Sequence, residues 1–196
     1  MKKGKNYAII QKVSLNEVSI IMEFGKTMCF SGHRPEKLPD NGDKHSTSVR
    51  ALMSVINMEI INSISEGYTR FITGMSRGVD LWAGEMVAEL KCRGENIELY
   101  AALPYPGFTD RFSGDDHWTA GHILANANNV FTISPSYSKD CMRLRNQYMV
   151  DCSDKLLAVC RDSRSGTGQT IRMAERARIV VKVIDLAPYF QLSGIQ

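Results

Sequence analysis

The feature that most constrains this chain is an alternation. Short apolar runs, each ended by Gly, Pro or a small polar residue, take turns with longer stretches whose apolar residues recur at helical spacing. The runs are Thr27–Ser31, Arg70–Thr73, Ile97–Leu103, Asn129–Ser134, Lys155–Cys160 and Val180–Leu186. The periodic stretches are Ser46–Glu66, Val79–Cys92, Asp116–Ala127, Lys139–Cys152 and Gln169–Arg178. In the first of these, Val49, Leu52, Val55, Ile56, Ile60 and Ile64 share one face. Ser46 is placed to cap its N-terminus, and Gly67 ends it. Strands alternating with helices of about ten residues or more predict βαβ units. Their nearly continuous apolar character predicts a parallel sheet covered on both faces. The expected fold class is therefore α/β: a Rossmann-like, doubly wound, mainly parallel sheet with helices on both faces.

A chain of 196 residues has room for one such domain and not for two. Residues 1–25 show no sustained period. They are expected to form a loosely packed N-terminal extension, with a short strand near Val18–Met22, ahead of a single domain at 26–196. A chain starting near Lys26 is expected to keep its melting temperature within a few degrees. The four lysines and two glutamates of the extension supply +2 of the formal net charge of +3. The body is thus nearly neutral, which gives little basis for holding long nucleic acid through charge. No apolar run is long enough for a transmembrane helix, and no signal-peptide core follows the basic N-terminus. The five cysteines, Cys29, Cys92, Cys141, Cys152 and Cys160, are odd in number and contain no CxxC pair. They read as small apolar thiols of a reducing compartment, so a cytoplasmic location is expected.

In a doubly wound sheet, ligands bind where strands end at their carboxyl edge. Three such exits stand out. The first is Ser31-Gly32-His33-Arg34-Pro35. The second is Gly74-Met75-Ser76-Arg77-Gly78-Val79-Asp80. The fifth strand leaves through Arg164-Ser165-Gly166-Thr167-Gly168-Gln169-Thr170. The latter two place Gly, Ser and Thr between a strand and a helix N-terminus. Such a turn aims free N–H groups at one spot and adds the positive end of the helix dipole, which suits a phosphate. The residues expected to meet a ligand are Gly32, His33 and Arg34 from the first exit. Gly74, Met75, Ser76, Gly78 and Asp80 come from the second, and Ser165, Gly166, Thr167, Gly168 and Thr170 from the third. Asp80 suits either its own helix N-terminus or a ribose hydroxyl. No G-K-[ST] follows these glycines and Ile171 stands where GxGxxG needs its last glycine, so neither common phosphate-loop fingerprint is present. His117 and His122 are five apart, which does not align two metal ligands on one helix face. No metal or cofactor is expected, and no catalytic set is assembled.

Four motifs carry a family resemblance: SGHRPEKLP at 31–39, ITGMSRGVDLWAGE at 72–85, ALPYPG at 102–107 and RNQYMVDCSDKLLAV at 145–159. Together they resemble the YpsA-like group of the SLOG superfamily of Rossmann-like nucleotide-binding proteins, over about residues 26–187. Relatives of that group include Lonely Guy phosphoribohydrolases and the DNA-processing protein DprA. The resemblance implies binding of a nucleotide or nucleotide-derived ligand, such as an ADP-ribose-like molecule, by a sensor, carrier or sequestering protein. It adds Arg145 and Asn146 to the expected ligand-binding residues. The expected partner is a small molecule, with a homodimer as the protein assembly to look for; nucleic acid and membranes are not expected partners.

Two alternatives follow from the relatives. Lonely Guy enzymes carry M-x-x-R-K on a helix and P-G-G-x-G-T-x-x-E in a loop. Here Met142-Arg143-Leu144-Arg145-Asn146 keeps the Arg and replaces the Lys, and Met173 occupies the place of the Glu. Glu175 falls on the other side of the helix from that place. A methionine does not stabilise an oxocarbenium-like centre, so the departure argues against nucleotide N-glycosidase or phosphoribohydrolase activity. The Ser165–Thr170 loop and the Arg145-Asn146 pair are closer to DprA, a single-stranded DNA binder, a reading that needs more basic and aromatic surface than the near-neutral body promises.

Overall fold

The computed structural model describes residues 25–193. The expected strand near Val18–Met22 and the loose extension lie outside them. Six strands, β1 (Lys26–Gly32), β2 (Tyr68–Thr73), β3 (Glu98–Leu103), β4 (Asn129–Thr132), β5 (Lys155–Cys160) and β6 (Val180–Asp185), form one sheet. Its order is β4-β3-β2-β1-β5-β6, and every neighbouring pair is parallel. The helices are α1 (Thr47–Ser65), α2 (Val79–Cys92), α3 (Gly114–Asn126), α4 (Cys141–Asp151), α5 (Gly166–Ala177) and α6 (Ala187–Leu192). The Rossmann-like α/β architecture is as the alternation implies.

Strand periodicity sorts the core into two layers. Met28, Phe30, Phe71, Leu157 and Val159 point to one face, where they meet Leu52 and Ile56 of α1, Leu81 and Val87 of α2, and Ile123 of α3. Cys29, Ile72, Leu156 and Ala158 point to the other, against Met149 and Val150 of α4 and Met173 and Ala174 of α5. The cysteines are all free thiols; Cys29, Cys141 and Cys160 are buried, and Cys92 and Cys152 are exposed.

The differences from expectation are local. Helix α5 begins at Gly166 and not at Gln169, because Ser165 Oγ accepts the Gly168 N–H and makes the glycine-rich turn the first turn of the helix. Glycine's poor helix propensity hides this from a periodicity reading. Strands β4 and β6 are more exposed than a doubly covered strand should be, since both are sheet edges. Helix α6 is too short to show a period. The Ser46 cap is made as expected, accepting the Val49 N–H at 3.3 Å.

The chain runs from β1 through β2 and β3 to β4 on one side, then returns to place β5 on the other flank of β1. The strand order therefore reverses between β1 and β5, and a crevice opens there at the carboxyl ends, the usual ligand position in such sheets.

Candidate functional site

A cleft of about 450 Å³ occupies that reversal point. The β1 exit supplies Ser31, Gly32, His33, Arg34, Glu36 and Lys37. The turn into α2 supplies Ser76, with Asp80 from the first helical turn. Helix α4 contributes Met142, Arg145 and Asn146, and the start of α5 contributes Ser165, Gly166 and Thr167.

Arg145 is the centre of the arrangement. It is only 3% exposed, and its guanidinium is held from two sides. Nε donates to Asn146 Oδ1 at 2.8 Å, and Nη2 donates to Ser76 Oγ at 2.9 Å. Asn146 is fixed in turn, donating from Nδ2 to Thr170 Oγ1 at 2.8 Å, while Thr170 donates to the Gly166 carbonyl at 3.0 Å. The third nitrogen, Nη1, lies 3.9 Å from Asp80 Oδ2 and is buried with no hydrogen-bond partner among the described residues. Burial pushes the guanidinium pKa down, and the Asp80 charge opposes that shift.

Asp80 accepts the Gly32 N–H at 3.2 Å. Burial raises its pKa to about 6, against the pull of Arg145 and of the backbone donors. His33 Nε2 accepts the Arg161 N–H at 3.2 Å, so that nitrogen carries no proton. Burial, with Lys37 nearby, lowers the His33 pKa and keeps the ring neutral. At the start of α5, the Gly166 and Thr167 N–H groups precede any intrahelical partner and are the free donors of the helix N-terminus.

Ten of the expected ligand-binding residues thus stand on one cleft: Gly32, His33, Arg34, Ser76, Asp80, Arg145, Asn146, Ser165, Gly166 and Thr167. Five others, Gly74, Met75, Gly78, Gly168 and Thr170, lie behind its surface, contrary to their expected place on it. Gly74 leaves room for the Arg145 guanidinium, which a Cβ there would strike. The Met75 side chain is fully buried in the core, and its backbone is left-handed, with φ +60°. Gly78 has φ +84°, and a Cβ would come within 2.6 Å of the His33 carbonyl, so the turn into α2 needs glycine. Gly168 packs on the Ser163 backbone, and Thr170 holds Asn146. Ser31, Glu36, Lys37 and Met142 join the lining without having been singled out. The first three sit within the SGHRPEKLP motif, where the signal was present but unassigned to a role.

A parallel sheet with a cleft at its reversal point, its charged lining made of Arg34, Lys37 and Arg145 with Glu36 and Asp80, defines a Rossmann-like α/β protein. The chain belongs to the YpsA family, described as the YspA SLOG family, whose sequence model matches residues 28–182. It is similar to a UPF0398 protein of Bacillus cereus, 25% identical over 169 residues that cover 85% of this chain and 90% of the relative. A second UPF0398 protein, from Bacillus cereus strain B4264, is 24% identical over the same shares. A third, from Bacillus thuringiensis strain Al Hakam, is 24% identical over 78% of this chain and 84% of its own length. Among the described residues, no helix is long and apolar enough to cross a membrane.

Proposed function

We propose that this cleft binds a nucleotide or nucleotide-derived small molecule, and that the protein serves as a sensor, carrier or sequestering protein for it. The observation that carries this reading is Arg145: a guanidinium oriented by Asn146 and Ser76 in the wall of a cleft that also takes in the start of α5. A guanidinium that lines the same cleft as free helix N-terminal N–H groups suits a phosphate. Membership of a SLOG family supports the same reading.

One observation favours a second reading, N-glycosidic hydrolysis. Asp80, in the cleft with a pKa of about 6, has the protonation range of a general acid. Against it, Met173 packs in the core beneath α5 and Glu175 is exposed, so neither brings a carboxylate to the cleft. Isothermal titration with adenosine 5′-monophosphate and ADP-ribose, run beside a chromatographic assay for released base, separates the readings. Binding without base release is expected. Arg145→Ala should weaken binding by about 1.5–3 kcal/mol, the worth of a hydrogen bond to a charged group. Equal binding by wild type and variant would overturn the assignment, and rapid base release would establish the hydrolase reading.

A further inference from the structure

A second cleft of about 380 Å³ lies beside the first, and the two share Arg34 and Met142 in their walls. Its other residues come mainly from the loops that follow β3 and β4, so it opens at the same carboxyl edge. Its walls are unusually aromatic. Tyr105 meets Phe108 edge to face at 5.5 Å and 82°, and meets Tyr137 at 5.5 Å and 89°. Tyr137 is 68% exposed, so burial does not account for an aromatic residue at that place. The cleft is also cationic, with Arg34, Arg77, Arg111 and Lys139 in its lining and no carboxylate. Arg77 is engaged by Asp116 and Glu36. Arg34, Arg111 and Lys139 make no ion pair among the described residues.

Aromatic faces beside unpaired cations recognise a flat heterocycle joined to an anion, through stacking and cation–π attraction. The first cleft offers the complementary half, with Arg145 and the start of α5 for a phosphate and no aromatic ring in its lining apart from His33. Arg34 stands on the boundary, where a linking phosphate would pass.

We propose that the two clefts form one composite site for a two-ended ligand. The base stacks on the exposed face of Tyr137, with the perpendicular Tyr105 ring backing Tyr137, and a pyrophosphate linkage passes Arg34 to a sugar-phosphate end at Arg145 and α5. The protein then selects nucleoside diphosphate conjugates over mononucleotides and sugar phosphates. This rests on the reading of the first cleft as an anion site and adds a specificity to it. A single strand of nucleic acid also presents bases joined to phosphates. The near-neutral body favours a small molecule, because a strand gains affinity from every further phosphate it can neutralise.

The test titrates the full chain with ribose 5-phosphate, ADP-ribose and a ten-nucleotide oligo(dA), using wild type, Tyr137→Ala and Arg145→Ala. Wild type should hold ADP-ribose at least about tenfold more tightly than ribose 5-phosphate, as one stacked base commonly provides. Tyr137→Ala should remove about tenfold from ADP-ribose affinity and shift ribose 5-phosphate less than about twofold. Arg145→Ala should weaken both. Equal affinity for the two small ligands, or no response of ADP-ribose to Tyr137→Ala, overturns the composite site while leaving the anion site standing. Failure of wild type to hold either small ligand removes both readings. Tighter, steeply salt-dependent binding of oligo(dA) overturns the small-molecule specificity in favour of a strand.

Discussion

Gly74 shows how much of the site depends on a missing atom. A Cβ there would strike Arg145 Nη1 and come within 2.7 Å of Asp80 Oδ2, both at the ends of side chains. Gly74→Ala should therefore displace the guanidinium more than it disturbs the backbone. Nucleotide affinity should fall about as far as in Arg145→Ala, by about 1.5–3 kcal/mol in titration calorimetry, although residue 74 touches no ligand. Asp80 carries a pH signature. Its folded pKa of about 6 lies above the ordinary 3.8. Such an acid favours the folded state most below its unfolded pKa, and that contribution is lost as pH rises through about 6. Urea melts of wild type and Asp80→Asn should show wild type losing up to about 3 kcal/mol relative to the variant between pH 4 and pH 7. A constant difference across that range would show that burial does not govern this carboxyl. Which loops would meet at the cleft was legible from the sequence, since glycine and hydroxyl residues mark strand exits. Which residue faces the ligand and which stands behind it was not. Spacing along a loop carries no depth, and Met75 adopts a positive φ that side-chain type alone argues against.

At the scale of elements, α5 decides what the site can do. Its first turn presents donors to the cleft, while Met173, 4% exposed, packs with Cys29 and Ala158 on the sheet. Installing the hydrolases' acid at that place would bury a carboxylate among apolar side chains. Met173→Glu should lower stability by about 3 kcal/mol or more in denaturant melts and release no base from adenosine 5′-monophosphate. Base release by that variant would show that α5 can turn the position toward the cleft. Helices α1 and α2 were legible almost to the residue because their apolar stripes are long. The second cleft was not. Tyr105 and Tyr137 sit in loops after different strands, and only the placement of β4 beside β3 brings their rings together.

The whole molecule places its two apolar cores on opposite faces of the sheet, with the cleft at the edge where both end. A ligand that binds only the folded chain stabilises it by mass action. ADP-ribose at about one hundred times its Kd should add about 2.7 kcal/mol, and so raise Tm by roughly 5–10 °C for a chain of this size. An unchanged Tm under those conditions would count against binding. Arg145 comes from α4 on one face, whereas Ser76 belongs to the turn into α2, and Asp80 to its first helical turn, on the other. The bond between Arg145 and Ser76 is thus a tie over the rim of the sheet between the two slabs, beside the packing of Met142 from α4 against the α1/α2 core. A molecule seated on that tie braces both slabs at once. Its arrival should slow amide exchange in α2 and α4 together, so that occupancy can be sensed from either side of the protein.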